Sequence, residues 1–202
     1  MKKKYWIMLL IILLVAVGIF FYKNRIKSFK MGNNKTGQEI VDYILNISSY
    51  EANVTVNVTS NKNSNKYILK QTYQSPSKST QEVIEPSNIA GVKIENDGTS
   101  TKIENSQLDL STILDNYNYL GDNCLDLYNF IEEYKEEKSQ FEEKDTEIIM
   151  KTGSNIQNIY IKEKILHIDK KTYNPTQMEI KDNKQKTTIY ILYNEVKVNS
   201  TL

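Results

Sequence analysis

Strict alternation of apolar and polar side chains from Tyr50 to Thr59 limits the fold of this chain more than any other feature. The apolar members are Tyr50, Ala52, Val54, Val56 and Val58. A period of two places them all on one side of an extended strand and the intervening polar residues on the other. The alternation therefore predicts a strand with one buried and one solvated face, which is typical of an antiparallel sheet.

Comparable short segments predict about ten or eleven strands in all. The predicted strands are 50–59, 66–74, 79–84, 90–95, 100–104, 146–152, 155–162, 164–169, 176–181, 186–193 and 195–199. Asn96-Asp97-Gly98 predicts a hairpin turn, and polar turns are expected at Lys162–Lys164 and Asp182–Gln185. Because so many short strands need closure or a cover over one face, we expect a strongly curved sheet with helices on its concave face.

A first helix is predicted ahead of the strands, from Thr36 to about Ser48. Thr36 and Glu39 have the spacing of a capping box, in which each side chain satisfies a free backbone N–H of the first turn. The apolar face of this helix consists of Ile40, Val41, Tyr43, Ile44 and Ile47.

The region 107–145 interrupts the strand pattern. A short helical turn is predicted at Leu108–Leu114, and a longer helix over 122–138 has Asp122 as its N-cap. The apolar face of the longer helix carries Leu125, Leu127, Tyr128, Ile131 and Tyr134, and its outer face carries Glu132, Glu133, Lys135, Glu136, Glu137 and Lys138. This mixture of charges predicts a solvated face with local ion pairs rather than a binding site.

A charge-free apolar run from Tyr5 to Tyr22 precedes these elements. As a helix it is about 27 Å long, close to the roughly 30 Å hydrocarbon core of a bilayer. Trp6 and Tyr22 stand at positions where interfacial aromatic residues occur, and Lys23 and Arg25 follow the run. A cleaved signal peptide would need small residues at its end, whereas Gly18 is followed by bulky ones. We therefore predict an uncleaved anchor over 1–30, a linker over 31–35 and one domain over 36–202.

The net charge of +1 conceals a division of the chain. Residues 1–30 carry seven basic and no acidic side chains, which leaves 19 basic and 25 acidic side chains, a net charge of −6, for residues 31–202. Charges flanking the span are balanced, so they do not set its orientation; a short basic tail in the cytoplasm favours N-in, C-out topology with an extracytoplasmic domain. The acidic domain argues against nucleic-acid binding.

Motifs for catalysis, phosphate binding or metal binding are absent from the sequence, and no cofactor or catalytic residue is predicted. Cys124 is interpreted as a packing residue and His167 as a structural or surface histidine. The 14 tyrosines either fill the core and rim of the sheet or line a groove for a lipid or a partner protein. The predicted concave-face or groove residues are Tyr67, Leu69, Tyr73, Ile189, Ile191 and Tyr193.

The segments Ile168–Asp182 and Tyr193–Asn199, a strand, a proline turn and a strand, resemble the LolA-like lipoprotein-carrier superfamily. Within it, residues 36–202 most resemble GerS, the germination lipoprotein of spore-forming clostridia. This resemblance implies an incomplete antiparallel barrel wrapped around helices and a non-enzymatic, extracytoplasmic role. It also implies a cell-wall amidase as partner, which the relative binds and activates to modify spore cortex peptidoglycan.

One departure from those lipoproteins is the missing lipobox cysteine, since Cys124 lies far inside the domain. The intact Tyr5–Tyr22 segment would then anchor the protein to the membrane. Three hypotheses stay open: a membrane-tethered interaction protein, a lipid- or lipoprotein-binding module and an unrecognised hydrolase. An open apolar groove would favour the lipid-binding module, a groove plugged by the helix at 37–48 or 122–138 would favour the interaction protein, and acidic groups with raised pKa in a cleft would favour the hydrolase.

Overall fold

The computed structural model describes residues 35–60, 62–105, 107–116, 123–136 and 138–200. These contain two helices, α1 (Gly37–Leu45) and α2 (Leu127–Glu136). The strands are β1 (Ile47–Thr59), β2 (Ser64–Gln74), β3 (Lys78–Glu85), β4 (Val92–Asn96), β5 (Ser100–Asn105), β6 (Leu110–Asp115), β7 (Gln140–Glu143), β8 (Glu147–Asn158), β9 (Ile161–Asp169), β10 (Pro175–Lys181) and β11 (Thr187–Ser200).

All eleven strands form one open antiparallel sheet. Its order is β6-β5-β4-β3-β2-β1-β11-β10-β9-β8-β7. Two meanders, β1 to β6 and β7 to β11, are joined where β1 pairs with β11 in the middle of the sheet. The predicted fold class, mainly β with two helices, is therefore confirmed.

The alternation in β1 sets the two faces of the sheet. Tyr50, Ala52, Val54 and Val56 are each at most 3% exposed, and the face that carries them is called the inner face below. Both helices pack on this face. The core joins it to Ile40 and Ile44 of α1 and to Leu127, Phe130 and Ile131 of α2.

Helix α1 begins as its sequence predicts and ends three residues early. Thr36 Oγ1 accepts from the Glu39 N–H at 3.3 Å, and Glu39 Oε2 accepts from the Thr36 N–H at 2.7 Å, so the capping box is present. The helix stops at Leu45, and Ile47, predicted to lie on its apolar face, instead opens β1. Ile47 is nevertheless buried, because β1 continues into the same core.

Two predicted features of the strand pattern are wrong. Most of the segment predicted as a helical turn, Leu108–Leu114, lies in β6, which begins at Leu110 and pairs with β5. The turn predicted at Lys162–Lys164 lies earlier, where the Asn158 side chain accepts from the Tyr160 N–H at 2.9 Å, so β8 ends at Asn158 and Lys162–Lys164 belong to β9.

The last two predicted strands are one strand. Glu195 has φ of 51°, and the pairing between β1 and β11 shifts register beside it. A bulge of this kind interrupts the apolar alternation without ending the strand. Strand β7 was not predicted, since its four residues carry no alternation.

Within the described residues, no helix combines the length and apolar composition needed to cross a bilayer.

The predicted anchor, including Trp6, Tyr22, Lys23 and Arg25, lies outside the described residues, as does the predicted N-cap Asp122.

Candidate functional site

The six predicted groove residues all lie on the inner face of the sheet. Leu69, Tyr73, Ile189, Ile191 and Tyr193 are buried in the core, and Tyr67 packs against it. Tyr128 of α2 stacks on Tyr73 with ring centroids 4.3 Å apart, and Tyr73 in turn stacks on Tyr50 at 5.9 Å. Helix α2 therefore fills the space that an open groove would occupy at this position.

A buried ion pair holds α2 against the sheet. Lys164 of β9 is 0% exposed, and its Nζ lies 2.6 Å from Oε2 of Glu133, which is 3% exposed. The ammonium also donates to the Asn129 side chain. Glu133 Oε1 accepts from Ser154 Oγ at 2.8 Å and from the Asn155 N–H at 3.1 Å. The pair and its hydrogen bonds link α2 to β8 and β9, and removing either partner alone would leave the other charge buried and unpaired.

A second buried polar group lies at the start of α2. Asp126 Oδ1 accepts from the Tyr50 hydroxyl at 2.7 Å and from the Tyr128 N–H at 2.8 Å. Burial raises the pKa of the Asp126 carboxyl to about 6. The nearby Tyr193 hydroxyl is buried without a hydrogen-bond partner, and burial raises its pKa.

Sequence reasoning did not find these polar groups. Glu133 was predicted to lie on the solvated outer face of the helix, and that prediction is wrong because the residue turns toward Lys164. Lys164 itself was placed at the end of a predicted turn and the start of the predicted strand 164–169. A signal was available in β9, where the period of two puts Lys164 on the same face as Leu166 and Ile168.

Cys124 and His167 occupy different surroundings. Cys124 packs against the core, and burial raises the pKa of its thiol. His167 Nδ1 lies 2.8 Å from Glu147 Oε2 on the outer face, and this contact holds the pKa of Glu147 below its usual range. Among the described residues, no group of three or more His, Cys, Asp or Glu side chains could hold a metal ion.

Two cavities lie at other places on the sheet. One, of about 580 Å³, lies where the turns after β1, β8 and β10 meet, and Val58, Ile161 and Ile189 contribute its apolar wall. The other, of about 840 Å³, is polar. Its lining includes a row of paired residues across seven strands, namely Lys197, Glu51, Thr72, Thr80, Glu95, Lys102 and Ile113.

The inner face of β4 to β6 lacks the burial of the core. Its apolar residues Val92, Ile94 and Ile103 are partly exposed, and Leu110 and Leu114 are 61% and 39% exposed. A groove of about 380 Å³ lies beside β6 and is lined in part by Val92, Ile103 and Leu110. We call β4–β6 the free half of the sheet, and β1, β2 and β8–β11 the covered half.

Solved structures of similar fold are found among known proteins. An uncharacterized conserved protein of Thermus thermophilus matches with a TM-score of 0.54 at 12% identity, over 83% of this chain and 90% of the other. A chain from the complex of the CwlD amidase with the GerS lipoprotein of Clostridioides difficile matches with a TM-score of 0.50 at 22% identity, over 78% and 91%. A LolA superfamily protein of Nitrosomonas europaea matches with a TM-score of 0.43 at 12% identity, over 83% of this chain and 96% of the other.

The sequence profile of the YdcC-like sporulation proteins matches residues 2–202, and the chain therefore belongs to this family. None of the curated proteins compared with the chain matches it. The predicted resemblance to the LolA-like superfamily and to GerS is confirmed as a likeness of fold.

Proposed function

We propose that this protein is a non-enzymatic, membrane-anchored adaptor of the cell envelope that acts by binding another envelope protein. The observation that carries the proposal is the filled inner face. Leu127, Phe130 and Ile131 of α2 occupy it with at most 2% exposure, and the Lys164–Glu133 pair secures the helix there. A carrier needs that space for its cargo, whereas an adaptor needs only a rigid scaffold.

Membership in the sporulation family supports a role in spore formation. The solved complex pairs GerS with the CwlD amidase, and a cell-wall amidase of that kind is the partner that we propose. In this proposal the domain is an incomplete barrel wrapped around its helices, and it influences peptidoglycan processing through its partner.

The proposed location is the outer side of the cytoplasmic membrane. The uncharged segment 5–22 spans the bilayer, Trp6 and Tyr22 lie at its interfaces, and Lys23 and Arg25 follow it. The amino terminus stays in the cytoplasm and residues 36–202 lie outside. A tether of this kind keeps the adaptor close to the wall.

Co-expression tests the adaptor proposal. The full-length chain, solubilised in mild detergent, is purified together with a tagged CwlD-type amidase from the same organism, with an unrelated periplasmic hydrolase as control. We expect a stoichiometric complex with the amidase alone and a change in its activity on cortex peptidoglycan. Separate elution of the two proteins at micromolar concentrations, with unchanged activity, would contradict the proposal.

A lipid-binding role is the second candidate, and the apolar wall of the 580 Å³ cavity favours it. Mass spectrometry of lipids extracted from the purified protein tests it, with Ile189→Asp as a matched variant. Enrichment of one lipid class in the wild type, lost in the variant, would support lipid binding at this cavity.

A further inference from the structure

Strand β6 is an edge of the sheet on which every residue is exposed. Leu110, Ile113 and Leu114 are 61%, 62% and 39% exposed, and Leu108 in the preceding turn is 64% exposed. In the part of the chain that the structure describes, no strand pairs with the outer side of β6. An edge of this kind presents free main-chain donors and acceptors to another strand.

Three common protections of an edge, a bulge, a lysine and a proline, are missing from β6. Its pairing with β5 runs through six residue pairs without a bulge, and residues 107–116 contain neither lysine nor proline. The opposite edge, β7, has four residues and includes Glu142 and Glu143. Lys170 Nζ donates to Glu143 Oε1 at 2.7 Å. The Glu143 side chain also lies against Gly37 of α1, so a side chain at position 37 would collide with it. The contrast marks β6 as an edge left open for pairing.

Apolar receptors for alternate side chains lie beside this edge. The groove of about 380 Å³ runs along Leu110 and Thr112 and is walled by Val92 and Ile103. An added strand directs every second side chain to the inner face, and apolar side chains at those positions would enter the groove. Main-chain pairing would then supply affinity, and the groove would supply selectivity.

Charge decides between a second copy and a different protein. Asp109 precedes β6 and Asp115 is its last residue, and no basic residue lies within 107–116. Lys102, opposite Ile113, is in contact with Glu104 instead. Antiparallel pairing of two copies of β6 would bring Asp109 of each copy beside Asp115 of the other, and like charges at such positions are destabilising.

We propose that β6, together with Leu108 and the adjoining groove, binds an extended segment of another protein as an added strand. The segment has alternating apolar residues and a basic residue toward each end, opposite Asp109 and Asp115. This inference rests on the proposed adaptor function and assigns its contact surface.

A peptide series tests the surface on the full-length chain in mild detergent. The probe is a fluorescent peptide of alternating threonine and valine with two lysines at each end. One control carries glutamates in place of the lysines, and the other is methylated on alternate backbone nitrogens. We expect saturable anisotropy binding of the lysine peptide, at least about tenfold weaker binding of the glutamate peptide, and none of the methylated one.

Variants locate the binding. We expect Ile113→Lys and Leu110→Lys to weaken binding of the lysine peptide by at least about tenfold, because each places a charge on the edge or in the groove. Ile84→Lys, at a 45% exposed position of β3, is the matched control and should bind as the wild type does. Circular dichroism confirms folding, and amide exchange should show protection of Leu110–Asp115 when peptide is bound.

Three results would overturn the inference. They are equal binding of all three peptides, binding that survives both β6 variants, and a concentration-dependent dimer that Ile113→Lys abolishes. The adaptor proposal is judged separately. If the amidase complex forms equally well with Ile113→Lys, β6 is not the contact surface but the adaptor proposal is retained. If the peptide binds at the edge but no amidase complex forms, β6 is a strand-binding surface and the amidase-adaptor proposal is rejected.

Discussion

The covered and free halves belong to one continuous sheet, but their inner faces differ in burial. In the covered half, Val54, Ile180 and Ile191 are fully buried beneath α1 and α2. In the free half, Leu110 and Leu114 are 61% and 39% exposed. The difference indicates a division of labour, because buried area stabilises the fold whereas uncovered apolar area is typical of recognition surfaces.

The largest effect should come from the ion pair beneath α2. Lys164→Met leaves Glu133 buried without its partner, and we expect a loss of about 3–5 kcal/mol in the free energy of unfolding. Urea denaturation measures it. The double variant Lys164→Met/Glu133→Leu should recover most of the loss. The control Lys70→Met removes an exposed partner of Glu51 and should lower the free energy of unfolding by less than about 1 kcal/mol. Similar losses of stability for Lys164→Met and Lys70→Met would contradict the expected difference between buried and exposed ion pairs.

Next in size is the pH dependence that Asp126 imparts to the covered half. The folded-state pKa of about 6 lies above the unfolded value of 3.8, so the buried carboxylate opposes folding at neutral pH. For this group alone, stability should rise as pH falls from about 7 toward 4, by up to about 3 kcal/mol.

Asp126→Asn keeps an N-cap acceptor and removes the charge. At pH 7 we expect this variant to be at least as stable as the wild type, with the difference between them shrinking as pH approaches 4. Urea titrations of both proteins at a series of pH values measure that difference, in which all other titrating groups cancel. A constant difference across the series would show that Asp126 does not titrate in this range.

A smaller effect is expected at the start of α1. Thr36→Ala removes the capping acceptor for the Glu39 N–H and should lower the free energy of unfolding by about 1 kcal/mol. Thermal denaturation detects the change. Thr36→Ser preserves the hydroxyl and should retain most of the stability.

The smallest effect on stability is expected in the free half. Leu110→Thr should change the free energy of unfolding by less than about 0.5 kcal/mol, because the side chain loses little buried area. Met178→Thr, at a fully buried position of β10, is the comparison and should destabilise by several kcal/mol. A loss at Leu110 as large as that at Met178 would mean that β6 contributes to the core.

Sequence reasoning predicted what depends on local pattern. The alternation of β1, the capping box at Thr36 and the turn at Gly98, whose φ of 95° suits glycine, are signals that lie within a few residues. Burial of Glu133 depends on Lys164, which is 31 positions away, and no local pattern distinguishes that glutamate from its exposed neighbours. The prediction for β6 was wrong for a related reason. Only its pairing with β5 distinguishes a strand from a helical turn at this position.

For the candidate site, too, the sequence predicted what depends on local pattern and not what depends on tertiary packing. Alternation puts the six groove residues on the inner face, but the packing of Tyr128 of α2 on Tyr73 depends on tertiary structure. Ligand binding on that face stays a prediction.

Pairing of β1 with β11 has a consequence for the order of events in folding. Val56 pairs with Ile191, so the middle of the sheet joins segments made early and late in synthesis. Closing so long a loop is entropically costly and slows folding. Strand β1 therefore stays unpaired on one side until β11 is available. Assembly of the complete sheet is therefore a late event in the folding of this domain.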